Sequence, residues 1–154
     1  MGPEFEHRPV MLAEVLDALK LTPGAWIADG TLGGSGHAAS ILAATSPNGR
    51  LFGCDRDGAA VEAARRRLAP FAGRIEIRQG NYADLASWVP AASCDGLLLD
   101  LGVSSPQLDS PERGFSFQRD GPLEMRMDAS QGMTAAELVN TASAEELADR
   151  KSVV

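Results

Sequence analysis

Apolar positions fall into short runs whose spacing alternates between helical and continuous. Leu12, Val15, Leu16 and Leu19 recur at helical spacing and stop at Pro23-Gly24, which predicts a helix ahead of the first strand. Ala25-Trp26-Ile27-Ala28 is continuously apolar and runs into Asp29, Gly30 and a glycine cluster. Ala38, Ile41 and Leu42 then resume helical spacing, so this stretch reads as strand, tight turn, helix. Leu51-Phe52-Gly53-Cys54 is the next apolar run and ends at Asp55. Asp57 is placed to cap a helix whose buried face carries Val61, Ala64 and Leu68, with Arg65, Arg66 and Arg67 near the C-terminal end, where cations suit the dipole. Ile75-Glu76-Ile77 alternates as a third strand, and Gly96-Leu97-Leu98-Leu99 is a continuously apolar fourth that ends at Asp100.

Strands alternating with helices imply a parallel sheet with right-handed crossovers, and ligands of such sheets bind beyond the carboxyl ends of the strands. Asp29, Asp55 and Asp100 each stand at a strand end and are expected to face one crevice. From Val103 to Gly132 prolines and glycines interrupt any period, and a long ordered loop or linker is expected. Thr134 with Glu137, and Ser143 with Glu146, are successive capping-box signatures that predict two short closing helices.

At 154 residues and 44% apolar content the chain supports one core of ordinary size. A net charge of −7 argues against a broad phosphate-binding surface, so any RNA contact is local. Cys54 and Cys94 lie far apart in apolar runs, as reduced, buried thiols do, which points to a cytoplasmic location. The apolar runs are far short of the roughly 20 residues of a membrane helix, and no export signal is read. Met1–Phe5 reads as a cloning scar. His7, His37, Cys54 and Cys94 show no metal-ligand spacing, and no metal is assigned.

The glycine cluster Gly34-Ser35-Gly36-His37-Ala38-Ala39 satisfies the dinucleotide pattern G-x-G-x-x-A, and Asp55 lies at a suitable distance for ribose hydroxyls. Asp29 discriminates between ligands. A carboxylate beside the turn repels a pyrophosphate but suits S-adenosylmethionine, which carries a cationic ammonium and sulfonium and no phosphate. Gly80-Asn81-Tyr82-Ala83-Asp84 follows the third strand, where a ring and polar groups suit an adenine pocket.

Three stretches carry a more specific resemblance. They are Asp100-Leu101-Gly102-Val103-Ser104-Ser105-Pro106-Gln107-Leu108-Asp109 and Glu112-Arg113-Gly114-Phe115-Ser116-Phe117, followed by Asp120-Gly121-Pro122-Leu123-Glu124-Met125-Arg126-Met127-Asp128. Together with His7-Arg8-Pro9-Val10-Met11-Leu12 and Asp29-Gly30-Thr31-Leu32-Gly33-Gly34-Ser35-Gly36-His37, they resemble the RsmH (MraW) family. That family methylates the exocyclic N4 of a cytidine in 16S ribosomal RNA of the bacterial small subunit. The resemblance runs from His7 to about Asp149.

The resemblance implies an α/β fold, a Rossmann-like class I methyltransferase sheet with the first four of the family's seven strands, followed by the start of an inserted helical domain. On this reading residues 1–6 are a tag or disordered arm, 7–108 the S-adenosylmethionine-binding core, and 109–154 a loop and the start of the helical substrate-binding domain. It implies cofactor contacts at Gly36, His37, Asp55, Tyr82, Asp100 and Gln107, to which the turn itself adds Asp29 and Ser35. Asp100 is the expected cofactor anchor or amine acceptor, and Ser104, Ser105 and Pro106 are expected to position the base, the plain alternative for the serines being a turn. Ser35 stands where the family has glycine, Glu124 where it has aspartate, and Tyr82 where it usually has phenylalanine.

The family continues for about as many residues again, so the chain reads as its N-terminal half, a form that binds cofactor without turnover, and the last few residues read as foreign. The fourth strand is then expected at an open edge, favouring pairing or swapping between copies or cover by Val103–Gly132. Two rival readings are weaker. Gly102-Val103-Ser104-Ser105-Pro106 nearly matches a hydrolase nucleophile elbow but lacks the last glycine, and no histidine follows it. Arg113-Gly114-Phe115-Ser116-Phe117 resembles the basic-aromatic motif of a non-catalytic RNA-binding module, which needs an antiparallel sheet.

Overall fold

The computed structural model describes residues 9–151. The expectations for residues 1–6 and for the final residues 152–154, and the His7-Arg8 start of the opening motif, lie outside these. Helix α1 (Leu12–Ala18) precedes β1 (Trp26–Asp29), α2 (Gly36–Ala44), β2 (Arg50–Asp55), α3 (Gly58–Arg67), β3 (Ile75–Gln79) and β4 (Gly96–Leu98). The short helices α4 (Ser105–Asp109), α5 (Ala135–Thr141) and α6 (Ala144–Lys151) follow. The chain forms two compact units that part between Leu101 and Gly102.

In the first unit the strands pair in the order β3-β2-β1-β4, every pair parallel. The sequence order reverses between β1 and β4, and at such a switch point the loops leave a crevice at the carboxyl ends of the strands. Asp29, the last residue of β1, is in register with Gly53 of β2 and Leu98 of β4. The Rossmann-like α/β expectation holds, and a parallel sheet does not suit the RNA-binding module. Asp57 caps α3 as its position predicts, its Oδ1 accepting the Ala59 N–H at 2.9 Å.

Ile27, Leu51, Ala38, Ile41, Leu42, Ala64 and Leu68 form the buried core. The strand residues of this set alternate with Phe52 and Cys54, which point to the opposite face. There the Phe52 ring lies 5.7 Å from Trp26 and 6.1 Å from Trp88, with the Arg50 guanidinium 5.0 Å from the Trp26 ring and that of Arg78 4.6 Å from the Trp88 ring. The two cysteines differ. Cys54 is a buried thiol pushed up to about 11, chiefly by burial, whereas Cys94 is only half-buried, because it precedes the edge strand rather than lying within the core. Among the described residues β4 pairs on one side only, and Leu97 is exposed. No helix among them is long and apolar enough to cross a membrane.

At its start the second unit departs from the expected long ordered loop or linker. Ser104 N-caps α4 in a capping box with Gln107, whose Oε1 accepts the Ser104 N–H at 2.9 Å. Pro106 stands in the first helical turn, where its missing N–H costs nothing. A five-residue helix is too short to show a period, which is why the pattern hid it. Beyond it, Arg113 donates to the carbonyls of Arg126 and Met127, and Arg126 pairs with Glu124. Both predicted closing helices are present, with reciprocal capping by Thr134 and Glu137, and by Ser143 and Glu146.

Candidate cofactor site

Asp29 is 1% exposed, and its Oδ1 accepts the Thr31 N–H at 3.0 Å. Burial outweighs that bond and the opposing influence of His37, and holds the carboxyl well above its ordinary 3.8, at about 6. The Asp55 charge acts in the same direction as burial. Thr31 also ties the turn to the neighbouring strand end. Its Oγ1 accepts the Asp100 N–H at 2.7 Å, and the Gly30 N–H donates to the Leu98 carbonyl at 3.0 Å.

Asp55 holds the turn from the other side. Its Oδ2 accepts the Gly33 N–H and its Oδ1 the Asp57 N–H, both at 2.9 Å, while burial raises its pKa against these bonds. Arg67, an exposed residue of α3, donates from Nη1 to the Gly34 carbonyl at 2.8 Å. The Leu32 N–H reaches the Cys54 carbonyl at 3.2 Å and the Ser35 N–H the Leu32 carbonyl at 2.6 Å. Nearly every residue of the turn is thereby held in place, so its shape is set before a ligand arrives.

Ser35 stands at the N-cap of α2 with φ 58° and ψ 23°, the left-handed region that glycine occupies without penalty. It is 1% exposed, and its Oγ has no hydrogen-bond partner among the described residues. A buried hydroxyl left unpaired costs free energy, so this atom is suited to a polar ligand group. Ser35→Gly is expected to raise stability by about 1 kcal/mol through relief of the left-handed backbone. Urea denaturation of the two proteins measures the difference.

His37 is 9% exposed, with Nε2 2.9 Å from the Val10 carbonyl and Nδ1 3.9 Å from Asp100 Oδ2. Tyr82 begins a 3₁₀ segment (Tyr82–Ser87) capped by Asn81, whose Oδ1 accepts the Ala83 N–H at 3.0 Å. The ring is partly exposed, and a Cβ added to Gly30 would lie 2.6 Å from the Tyr82 Cβ and 2.5 Å from Leu99 Cδ2. Gly30 therefore lets Tyr82 approach the strand end closely.

The expected residues of the first unit thus meet around one turn: Asp29, Ser35, Gly36, His37, Asp55, Tyr82 and Asp100. Ser104, Ser105, Pro106 and Gln107 belong to the second unit, where they form the capped start of α4. Three contributors carried no reading as part of the site from sequence: Thr31, Arg67 and the Val10 carbonyl. Only Thr31 had a usable signal, a hydroxyl two residues after a strand-end acid. No group of three or more His, Cys, Asp or Glu suited to a metal occurs among the described residues.

A sequence profile of the MraW methylase family matches residues 4–150. The chain belongs to the MraW methylase family. Its relatives in that family include the ribosomal RNA small subunit methyltransferase H of Syntrophotalea carbinolica, 56% identical over 147 residues that cover 94% of this chain and 47% of that protein. The protein of the same description from Cyanothece sp. is 53% identical over 149 residues, covering 97% of this chain and 50% of the other. This MraW-family chain spans about half the length of the curated relatives it matches. Among solved structures, the C-terminal domain of precorrin-6Y C5,15-methyltransferase from Rhodobacter capsulatus shares the fold, with a TM-score of 0.54 at 17% identity over 69% of this chain and 56% of that one.

Proposed function

We propose that this MraW-family chain is the S-adenosylmethionine-binding half of a methyltransferase acting on the N4 amine of a cytidine in 16S ribosomal RNA of the small subunit. The observation that carries the reading is the convergence of the Asp29, Asp55 and Asp100 strand ends on one pre-shaped glycine turn. A three-acid rim around such a turn suits a cationic donor and opposes a phosphate ligand. When bound, S-adenosylmethionine supplies an electrophilic methyl on a sulfonium. Asp29 offers its carboxylate to the cationic end, with Ser35 Oγ and the Gly36 backbone beside it. Asp55 accepts from ribose hydroxyls, and Tyr82 offers its ring to the adenine.

Asp100 is the exposed acid of the set, half-exposed in its side chain, and is the acceptor for hydrogens of the target amine as that nitrogen gains positive character. By the family resemblance Ser104, Ser105, Pro106 and Gln107 are assigned to positioning of base and cofactor, and residues 109–154 to the start of the substrate-binding helical domain. The two free cysteines support a cytoplasmic setting alongside ribosomal subunits. The unpaired side of β4 supports association of two copies, and a strictly monomeric species in light scattering would remove that part of the reading.

Calorimetric titration with S-adenosylhomocysteine tests the cofactor site directly: binding is expected in this chain, and its absence overturns the assignment. Methyl transfer to small ribosomal subunits is expected from the full-length relatives and not from the 154-residue chain alone. In a full-length relative, Asp100→Asn at the corresponding position is expected to lower turnover by about 100-fold while cofactor affinity changes by less than about tenfold. Single-turnover kinetics check this.

A further inference from the structure

The segment ahead of α1 meets the glycine turn at two points. A Cβ built on Gly36 would lie 2.2 Å from Pro9 Cγ and 3.0 Å from Pro9 Cδ, so the proline ring fills the space that a side chain at 36 would need. The Val10 carbonyl, one residue on, is 2.9 Å from His37 Nε2. A carbonyl only accepts, so Nε2 carries a hydrogen. The side chain is 11% exposed, and its remaining nitrogen, Nδ1, is turned toward Asp100 Oδ2 at 3.9 Å, with Asp29 within electrostatic reach.

We propose that Pro9–Val10 is a strap that positions the site: it fits against Gly36 and holds a hydrogen on His37 Nε2, which in the neutral ring leaves Nδ1, on the Asp100 side, bare as an acceptor. His37 is then a positioning residue. Its orientation depends on a backbone carbonyl 27 residues earlier in the chain, in the way a second hydrogen bond sets the tautomer of a ligating histidine. The bare Nδ1 and the Asp100 carboxylate, 3.9 Å apart, are then two acceptors suited to share a donor hydrogen from a ligand. The consequence for ligand affinity rests on the cofactor reading above; the tautomer and the docking of the strap do not.

The chain contains two histidines, so His7→Gln leaves His37 as the sole imidazole for ring ¹⁵N spectroscopy. In the ligand-free chain the hydrogen is expected on Nε2. Gly36→Ala evicts Pro9, and is expected to give a mixture of tautomers, faster amide exchange at Val10–Leu12, and about tenfold weaker binding of S-adenosylhomocysteine. His37→Gln keeps a donor for the Val10 carbonyl and has nothing equivalent to Nδ1. It is expected to retain slow exchange in the strap while affinity falls, whereas His37→Ala loses both. A hydrogen found on Nδ1 with Nε2 bare, or equal exchange in the Gln and Ala variants, overturns the proposal even if Gly36→Ala does not fold. A wild-type chain that shows the Nε2 hydrogen and the protected strap but does not bind S-adenosylhomocysteine removes the cofactor reading and leaves the strap standing.

Discussion

Asp29→Asn is expected to give a more stable protein that has lost its ligand. The carboxyl is raised from 3.8 to about 6, and that displacement corresponds to a penalty of roughly 3 kcal/mol for holding it ionised at neutral pH. Below pH 3.8 the group is protonated folded and unfolded alike, and the penalty is absent. It grows as pH rises and is complete above about pH 6, so wild-type stability falls across that window on account of this residue. Asparagine keeps an oxygen for the Thr31 N–H and carries no charge. The stability curves of the two proteins should therefore separate between pH 4 and pH 6 and lie about 2 kcal/mol apart at pH 7, the amide's new N–H groups offsetting part of the gain.

Ligand affinity moves the other way. A buried charge partner removed from a cationic ligand costs about 2–5 kcal/mol, so S-adenosylhomocysteine, which retains the ammonium, should bind at least about 30-fold more weakly. Wild-type affinity should also fall below about pH 6, as protonation of Asp29 competes with the ligand, and the variant should show no such dependence on this group. Calorimetry at pH 5 and pH 7.5 on both proteins reads both effects. Equal pH dependence in the two would remove Asp29 from the ligand's surroundings.

Asp55→Ala is expected to fail on both counts. Each carboxylate oxygen accepts a backbone N–H, one from Gly33 in the first turn and one from Asp57 ahead of α3. Alanine strands both donors, at about 1–3 kcal/mol each, and partial access of water brings the total to about 3 kcal/mol. The midpoint of urea unfolding should drop accordingly with an unchanged slope. Affinity should fall beyond detection, because the ribose acceptor is gone and the turn is no longer held from β2. Asp55→Asn separates the two roles: one oxygen remains for one N–H, so stability should recover by about half while affinity stays low. The two substitutions separate two contributions: neutralising Asp29 relieves the penalty of a buried charge, whereas truncating Asp55 strands two backbone donors, even though burial raises the Asp55 pKa as well.

The strand-end acids were legible because each ends a short apolar run, and a parallel sheet leaves no other place for them than the carboxyl edge. The Asp57 cap and both C-terminal capping boxes were legible for a similar reason: donor and acceptor lie three residues apart or fewer. What the pattern hid depends on longer range or on backbone atoms. Arg67 reaches Gly34 across 33 residues, and nothing at either position announces it. The Val10 carbonyl has no side-chain signature at all. Helix α4 stayed hidden because Pro106 and the run of small residues read as a turn, although Ser104 and Gln107 carried the same three-residue spacing as the boxes that were recognised. Cys94 read as buried because its apolar neighbours belong to a strand with one bare side.

Trp26 and Trp88 are the only tryptophans, and both lie against Phe52 on the sheet face away from the helices, Trp26 at the opposite end of β1 from Asp29. Their emission is thus a gauge of the sheet's integrity, Trp26 reporting from the end remote from the crevice. Melting of either aspartate variant can be followed by the chain's own light without a label, while a titration that leaves that light unchanged says nothing against binding.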